Sequence, residues 1–389
     1  MNEYDTPGKT TEKRPRTRRA FVISIALCVL VAAGAICVAN GIPSAIAWPG
    51  KIMYGSLEEF ASSTLPFTRP APKLDVFGYN QRMIALAGYG TTSAKTGISA
   101  TSTAWTSTTT SISSPLHRWP VPTVYPLASA ILPFSRIVGY YGNFYSAQMG
   151  ILGEYEPDAV ANKLTAAIVE WQAADPTTPV IPAVDYIAVV AQGSAGADGK
   201  YRFRMPSSQI DKALAIARSM HGLLFIDIQP GLSTLQDEIP LFEPYLQMPD
   251  VHLAIDPEFS MKDGSKPGTR IGTMSAADIN YASGYLASIV DKYHLPPKVL
   301  VVHRFTENMI TNYQGIAPLP ETQIVISMDG WGPTDKKIGT YQQVITPEPV
   351  QFSGIKLFYK NDSKPPSTGL LTATQVYALH PAPIFIEYQ

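Results

Sequence analysis

From residue 131 to the end of the chain, apolar runs and helical patterns alternate. Runs rich in Val, Ile, Leu and Phe lie near 136–144, 180–191, 222–229, 251–258, 298–304, 322–329, 353–360 and 383–389. Between them come segments with helical spacing, among them Pro157–Trp171, Ile210–Met220, Ser275–Tyr293 and Thr372–Leu379. In Ser275–Tyr293 the positions Ala277, Ile279, Tyr281, Tyr285, Leu286 and Ile289 suit a helix laid on a sheet. Runs that stay apolar at successive positions belong to strands covered on both faces, which with intervening helices means a parallel sheet. Eight such strands in about 255 residues fit a closed barrel better than an open sheet. An open doubly wound sheet would more often carry a Gly-rich phosphate loop after its first strand, and Gly139-Tyr140-Tyr141-Gly142 is not one. The predicted fold is α/β, a (β/α)8 TIM barrel over residues 131–389. The chain ends on the eighth strand, so part of residues 115–135 or of an arm at 41–90 is expected to cover the place of the missing eighth helix.

Ahead of the barrel the pattern changes. Ala20 to Ala39 form 20 consecutive residues without a charge, long enough as a helix to cross about 30 Å of hydrocarbon. The cluster Lys13-Arg14-Pro15-Arg16-Thr17-Arg18-Arg19 sits just before it. Positive residues stay inside, so residues 1–19 are expected to be a cytoplasmic tail and the C-terminal part to be extracytoplasmic. The expectation is a single-pass protein of the cell membrane, held by an uncleaved signal anchor over 20–39. Cleavage near Ala45-Ile46-Ala47 would instead give a secreted protein. Residues 40–130 read as a stalk with a Ser/Thr-rich linker at 91–114, too poor in apolar surface to offset its ordering entropy.

Composition narrows the function. Hydrophobic residues make up 45% of the chain and the net charge is −1. Beyond the basic tail the chain carries 24 basic and 28 acidic side chains. Such a body has no counterion-release drive toward nucleic acid, and no such partner is expected. Cys28 and Cys37 both lie in the 20–39 segment, so the exported part can form no disulfide and has no cysteine nucleophile. Gly-x-Ser-x-Gly elbows and Walker loops are absent. No cofactor is expected.

The unusual polar residues fall at the C-terminal ends of the predicted strands, where barrels of this kind bind ligands. Asp227 and Gln229 end the third strand, Asp256 and Glu258 the fourth, His303 and Arg304 the fifth, and Asp329 the sixth. Lys356, Tyr359 and Lys360 lie on the seventh. Residues i and i+2 of a strand share a face, so Asp256 should point with Glu258, and Asp227 with Gln229. Carboxylates crowded on adjacent strands raise one another's pKa, which gives general acid/base chemistry a protonated donor beside an ionised partner. The plainer readings stand beside this one. Strand-end acids also cap helices, a histidine here is as readily a core residue, Lys356 suits a structural ion pair, and Tyr140 and Tyr141 serve packing as readily as sugar stacking. A metal shared by His303, Asp227, Asp256 and Glu258 lacks any His-x-His or His-x-x-x-His spacing, and none is expected.

At these same strand ends the sequence resembles a family of exported, often lipoprotein-like barrel proteins of high-GC Gram-positive bacteria. The motifs run in order: Gly150-Ile-Leu-Gly-Glu154, Ile181-Pro-Ala183, Asp198-Gly-Lys-Tyr201, Asp227-Ile-Gln-Pro-Gly231 and Asp256-Pro-Glu-Phe259. They continue with Arg270-Ile-Gly-Thr-Met-Ser-Ala-Ala277, His303-Arg-Phe305, Asp329-Gly330, Gly354-Ile-Lys-Leu-Phe-Tyr359 and Tyr388-Gln389. That family has no assigned activity, so the resemblance implies fold and location. The chain departs from it in lacking a lipobox, since Leu27 precedes Cys28 and Ile36 precedes Cys37. A more distant likeness is to glycoside-hydrolase barrels whose fourth strand ends in Asp-x-Glu, here Asp256-Pro257-Glu258. It implies Glu258 as proton donor and Asp256 as its orienting partner, although Ala254 stands where the chitinase-like group has a further Asp. The expected function is therefore glycoside hydrolysis of a cell-envelope or environmental glycan. Glu258, Asp256 and Asp227 would be catalytic; Gln229, His303, Arg304, Asp329, Lys356, Tyr359 and Tyr141 would bind substrate. The alternative is a non-catalytic surface protein that binds polysaccharide.

Overall fold

In the computed structural model, which describes residues 73–88 and 118–389, the apolar runs become eight parallel strands. They are β1 (Arg136–Gly142), β2 (Val180–Ala191), β3 (Leu223–Ile228), β4 (Val251–Ile255), β5 (Lys298–Arg304), β6 (Thr322–Met328), β7 (Phe352–Leu357) and β8 (Phe385–Tyr388). Each pairs with the next, and β8 pairs with β1 to close the barrel. The helices are α1 (Val76–Leu86), α2 (Pro157–Ala174), α3 (Ser207–Ser219), α4 (Ala276–Tyr293), α5 (Thr334–Val344) and α6 (Ala373–Tyr377). Between β3 and β4 only single helical turns occur, and between β5 and β6 the helical elements are 3₁₀ turns, beside a short strand at Ile310–Thr311. Strand and helix alternation is therefore regular in the sheet and uneven in the outer ring.

Period-two alternation divides the core into two shells. Outward residues such as Val138, Leu224 and Val302 pack against the helices. On α2 the stripe Val160, Leu164, Ala167 and Trp171 recurs at helical spacing and is buried against the sheet. On α4 the buried stripe is Ile279, Ala282, Leu286 and Ile289; Ala277 is exposed and Tyr281 and Tyr285 are half-buried. Inward residues of the N-terminal halves form the second shell: Ile137, Ala183, Phe225, Ala254, Val301, Val325, Phe352 and Phe385. Phe225 sits 5.3 Å by ring centroid from both His252 and Phe385.

The arm does something other than cover a missing helix. Asp75 caps α1 by accepting from the Gly78 amide, and Tyr79 and Met83, one turn apart, join the inner apolar shell together with Leu132. Gln323 of β6 holds Leu132 at both backbone groups: its Oε1 accepts from Leu132 N, and its Nε2 donates to Leu132 O. Helix α1 and residues 131–134 thus plug the N-terminal mouth, because the inward Ile, Val and Phe side chains there would otherwise meet water. The outer face of β8 is covered by its neighbours instead. Trp171 of α2 donates from Nε1 to the Tyr388 hydroxyl at 3.0 Å, and Tyr377 of α6 donates to Trp171 O at 3.0 Å. Among residues 73–88 and 118–130, which the sequence places in the stalk, Tyr79, Met83 and Trp119 are buried in the core. The basic tail, the 20–39 segment and the 91–114 linker lie outside the described residues. Among the described residues no helix is long and apolar enough to cross a membrane.

Met83→Ala should destabilise the fold by about 2–5 kcal/mol, the cost of a buried methionine truncation. The measurement is the urea midpoint of unfolding. A midpoint equal to the wild-type value would show that α1 does not plug the barrel.

Candidate functional site

Strand register sets the upper half of the barrel. Tyr141 pairs with Asp185 across β1 and β2, and Lys356 pairs with Glu387 across β7 and β8. The same inward rows carry Asp227 on β3 and His303 on β5, with Asp256 and Asp329 just past the ends of β4 and β6. Above them lies an open cavity of about 760 Å³. Its walls include Tyr141, Gln229, Asp256, Glu258, Asp329 and Lys356, with Phe259, Phe305, Trp331 and Phe358 as apolar faces. Trp331 is 54% exposed, so its ring is open to a ligand. One turn depends on glycine: Gly150 has φ +134°, and a Cβ there would stand 2.4 Å from Tyr141 O. That close approach puts Gln148 and Met149 into the cavity wall.

The expected residues divide into three groups. Tyr141, Gln229, Asp256, Glu258, Asp329 and Lys356 line the cavity as anticipated. Asp227 and His303 face inward but are wholly buried beneath the lining residues. Arg304 and Tyr359 are corrections. Arg304 occupies the outward row of β5, where it donates to the carbonyls of Thr306, Glu307 and Val344 and pairs with Glu348. It ties the loop after β5 to the end of α5. Tyr359 follows β7 and leaves the inward row, stacking on Tyr388 at 4.9 Å and sharing a hydroxyl contact of 3.2 Å with Tyr140. Tyr140 points outward with it, so packing is its role.

Asp256 and Glu258 share the cavity by a different route from strand alternation. β4 stops at Ile255, and Asp256 caps a 3₁₀ turn, Pro257–Phe259, by accepting from Glu258 N at 3.0 Å. Pro257 has no amide to continue the ladder. Sequence reasoning missed Asp185 and Glu387, both wholly buried and inward. Asp185 interrupts the apolar run of β2 two residues after inward Ala183, and Glu387 stands two after inward Phe385, so the period-two rule applied to charges within strands would have found them.

The electrostatics are lopsided. Six carboxyl groups (Asp185, Asp227, Asp256, Glu258, Asp329 and Glu387) surround Lys356, whose Nζ lies 2.8 Å from Glu387 Oε2 and 3.5 Å from the Tyr141 ring centroid. Burial opposes the lysine's charge, but Glu387, Asp329 and Asp227 outweigh it and hold the proton more firmly than on a free lysine. Burial pushes Asp227 up to about 7 against the pull of Lys356 and Tyr141, and Asp329 up to about 7 against Lys356. Burial, reinforced by Asp329, Glu258 and Asp227, drives Asp256 well above the usual carboxylate range. Burial raises Glu258 as well, with Lys356 opposing. His303 lies 3.8 Å from both Asp227 and Asp329, and burial together with Lys356 holds it neutral. Three of the buried groups, Asp185, His303 and Glu387, each offer a ligand atom within 4.8 Å of the others.

No protein-family model and no curated protein matches the chain. Several solved structures align loosely with it. A mannanase from Bacillus subtilis, BCman, is 13% identical with a TM-score of 0.35, over 67% of this chain and 82% of that one. GH26C from Muricauda sp. is 9% identical with a TM-score of 0.28, over 68% and 75%. Wild-type HPPK-DHPS from Plasmodium falciparum, determined with pteroate, is 12% identical with a TM-score of 0.31, over 65% and 44%. The chain therefore spans less than half the length of that last protein. Alignments this loose span enzymes of different chemistry and carry no argument about activity.

Lys356→Met should cost about 3–5 kcal/mol, since it leaves buried carboxyl groups without their counter-charge. Urea denaturation at neutral pH reads the loss. A variant as stable as the wild type would mean that the lysine does not hold the cluster together.

Proposed function

We propose that the protein is an extracytoplasmic, membrane-anchored glycoside hydrolase acting on a cell-envelope or environmental glycan at the C-terminal mouth of its barrel. The observation that carries this is the open cavity in which carboxyl groups with raised pKa stand beside exposed aromatic faces. Pyranose rings offer apolar faces that stack on aromatic side chains and hydroxyls that need polar partners. Trp331, Phe259 and Phe305 supply the former; Gln148, Gln192 and Asn361 the latter. Export and anchoring rest on the uncharged 20–39 segment and the basic cluster before it.

The chemistry assigns itself by environment. Hydrolysis of a glycosidic bond needs one protonated and one ionised carboxyl group, and groups whose surroundings push their pKa values apart take those roles. Asp256, almost fully enclosed at 3% exposure, keeps its proton to higher pH and is the general acid. Its Oδ1 is occupied by Glu258 N, and Oδ2 has only a 3.5 Å contact to Gln229, so Oδ2 is the oxygen free to carry the proton. Glu258, only partly buried on the wall, ionises first and is the base or nucleophile. This reverses the roles that the Asp-x-Glu likeness implied. Asp227, beneath the lining, tunes the carboxyl groups above it.

The sign of the pH dependence follows. Activity requires Asp256 protonated and Glu258 ionised. The rate falls on the alkaline side as Asp256 loses its proton, and on the acid side as Glu258 gains one, above the ordinary glutamate value of about 4.3. Release of reducing ends from a panel of mannans, glucans, galactans and arabinans is the assay. Glu258→Gln should lower kcat about 10²–10⁴-fold, and Asp256→Asn should do the same and remove the alkaline limb. Turnover unchanged in Glu258→Gln would sink the assignment. Binding without turnover in the wild type would instead establish the non-catalytic polysaccharide-binding reading.

A further inference from the structure

Beneath the cavity, Asp185 of β2, His303 of β5 and Glu387 of β8 converge from three sides of the barrel. We propose that these three side chains bind a divalent first-row transition ion, zinc or manganese, in the barrel interior. One ligand atom from each lies within 4.8 Å of the other two. Ligands about 2.0–2.2 Å from an ion stand roughly 3–4 Å apart, so small side-chain rotations complete the site. All three residues are wholly buried. Among the described residues, both oxygens of Asp185 and both ring nitrogens of His303 have no hydrogen-bond partner, a state that costs each group its full desolvation penalty unless a ligand satisfies it.

Two further observations support an ion. Six carboxyl groups crowd around Lys356, with Lys337 beside it held by Asp362, and a divalent cation offsets two further negative charges. Lys356 occupies Glu387 Oε2, which leaves Oε1 for the ion. In addition, each nitrogen of His303 faces a carboxylate at 3.8 Å: Nε2 faces Asp227 and Nδ1 faces Asp329. Whichever nitrogen takes the metal, the other has an acid to receive its proton, the usual support of a metal-bound histidine. One imidazole and two carboxylates suit a borderline ion better than calcium or magnesium, which take all-oxygen shells. None of the three residues lines the cavity, so the ion joins β2, β5 and β8 and sets the field on the carboxyl groups above, without touching substrate.

The test uses the full chain in detergent, stripped with chelator and dialysed against micromolar zinc or manganese. Bound metal is counted by mass spectrometry. Wild type and Glu258→Gln should each retain a single ion. Asp185→Asn and His303→Gln should bind more weakly by at least the roughly 10–100-fold that loss of a mere supporting group costs. X-ray absorption of the zinc-loaded wild type, which needs no variant, should show nitrogen and oxygen ligands together. A wild type that retains neither ion, an all-oxygen shell, or equal binding by both variants would overturn the proposal. No step measures glycan turnover, so this result and the hydrolase reading stand or fall separately.

Discussion

The ion pair of Lys356 with Glu387 is the contact on which the upper half of the barrel depends. Register places the two side by side on β7 and β8, in the half of the barrel where Asp185, Asp227, Asp256, His303 and Asp329 are also buried. Burying a charge is tolerable only when it is paired. Here one ammonium group serves several acids, and it also sits against the Tyr141 ring. Its field explains why Asp227 and Asp329 rise only to about 7 while Asp256, where its pull is outweighed by three acidic neighbours, goes further.

The lower half is built on the opposite principle. Apart from Gln323, which holds Leu132, its inward residues are largely aliphatic or aromatic, and it is closed from below by Tyr79, Met83 and Leu132. A largely apolar floor keeps the effective dielectric low under the acids, which strengthens each electrostatic interaction above it. The plug and the cavity are thus linked: α1 is far from the site, yet it maintains the environment that shifts the carboxyl groups.

Much of this was legible in the sequence, and the misses have physical causes. The eight parallel strands followed from unbroken apolar runs, because strands covered on both faces have no polar side to show. The strand-end acids followed from the rule that ligands meet these barrels at the C-terminal mouth. Asp185 and Glu387 escaped because they sit inside apolar runs, where composition hides them and only alternation reveals them. Arg304 was misassigned because a strand-end position does not by itself choose a face; its neighbour His303 took the inward one. Tyr359 lies past the end of β7, where the alternation no longer holds. The α1 plug was invisible because its partners, such as Tyr125 and Phe134, lie about fifty positions on, beyond a polar linker that hides the connection.

The turn after β4 shows how fold and chemistry meet. Had Asp256 and Glu258 continued the strand, both would have stood in the same buried row with similar surroundings, and neither proton would have been distinguished from the other. Pro257, two residues after Ile255, cannot continue the ladder, and the 3₁₀ turn lifts Glu258 to the wall while Asp256 stays enclosed. Two carboxyl groups separated by one residue thereby come to differ in burial, and the buried one holds its proton more tightly. An acid and a base at one pH require that difference, and a backbone break at a single proline produces it.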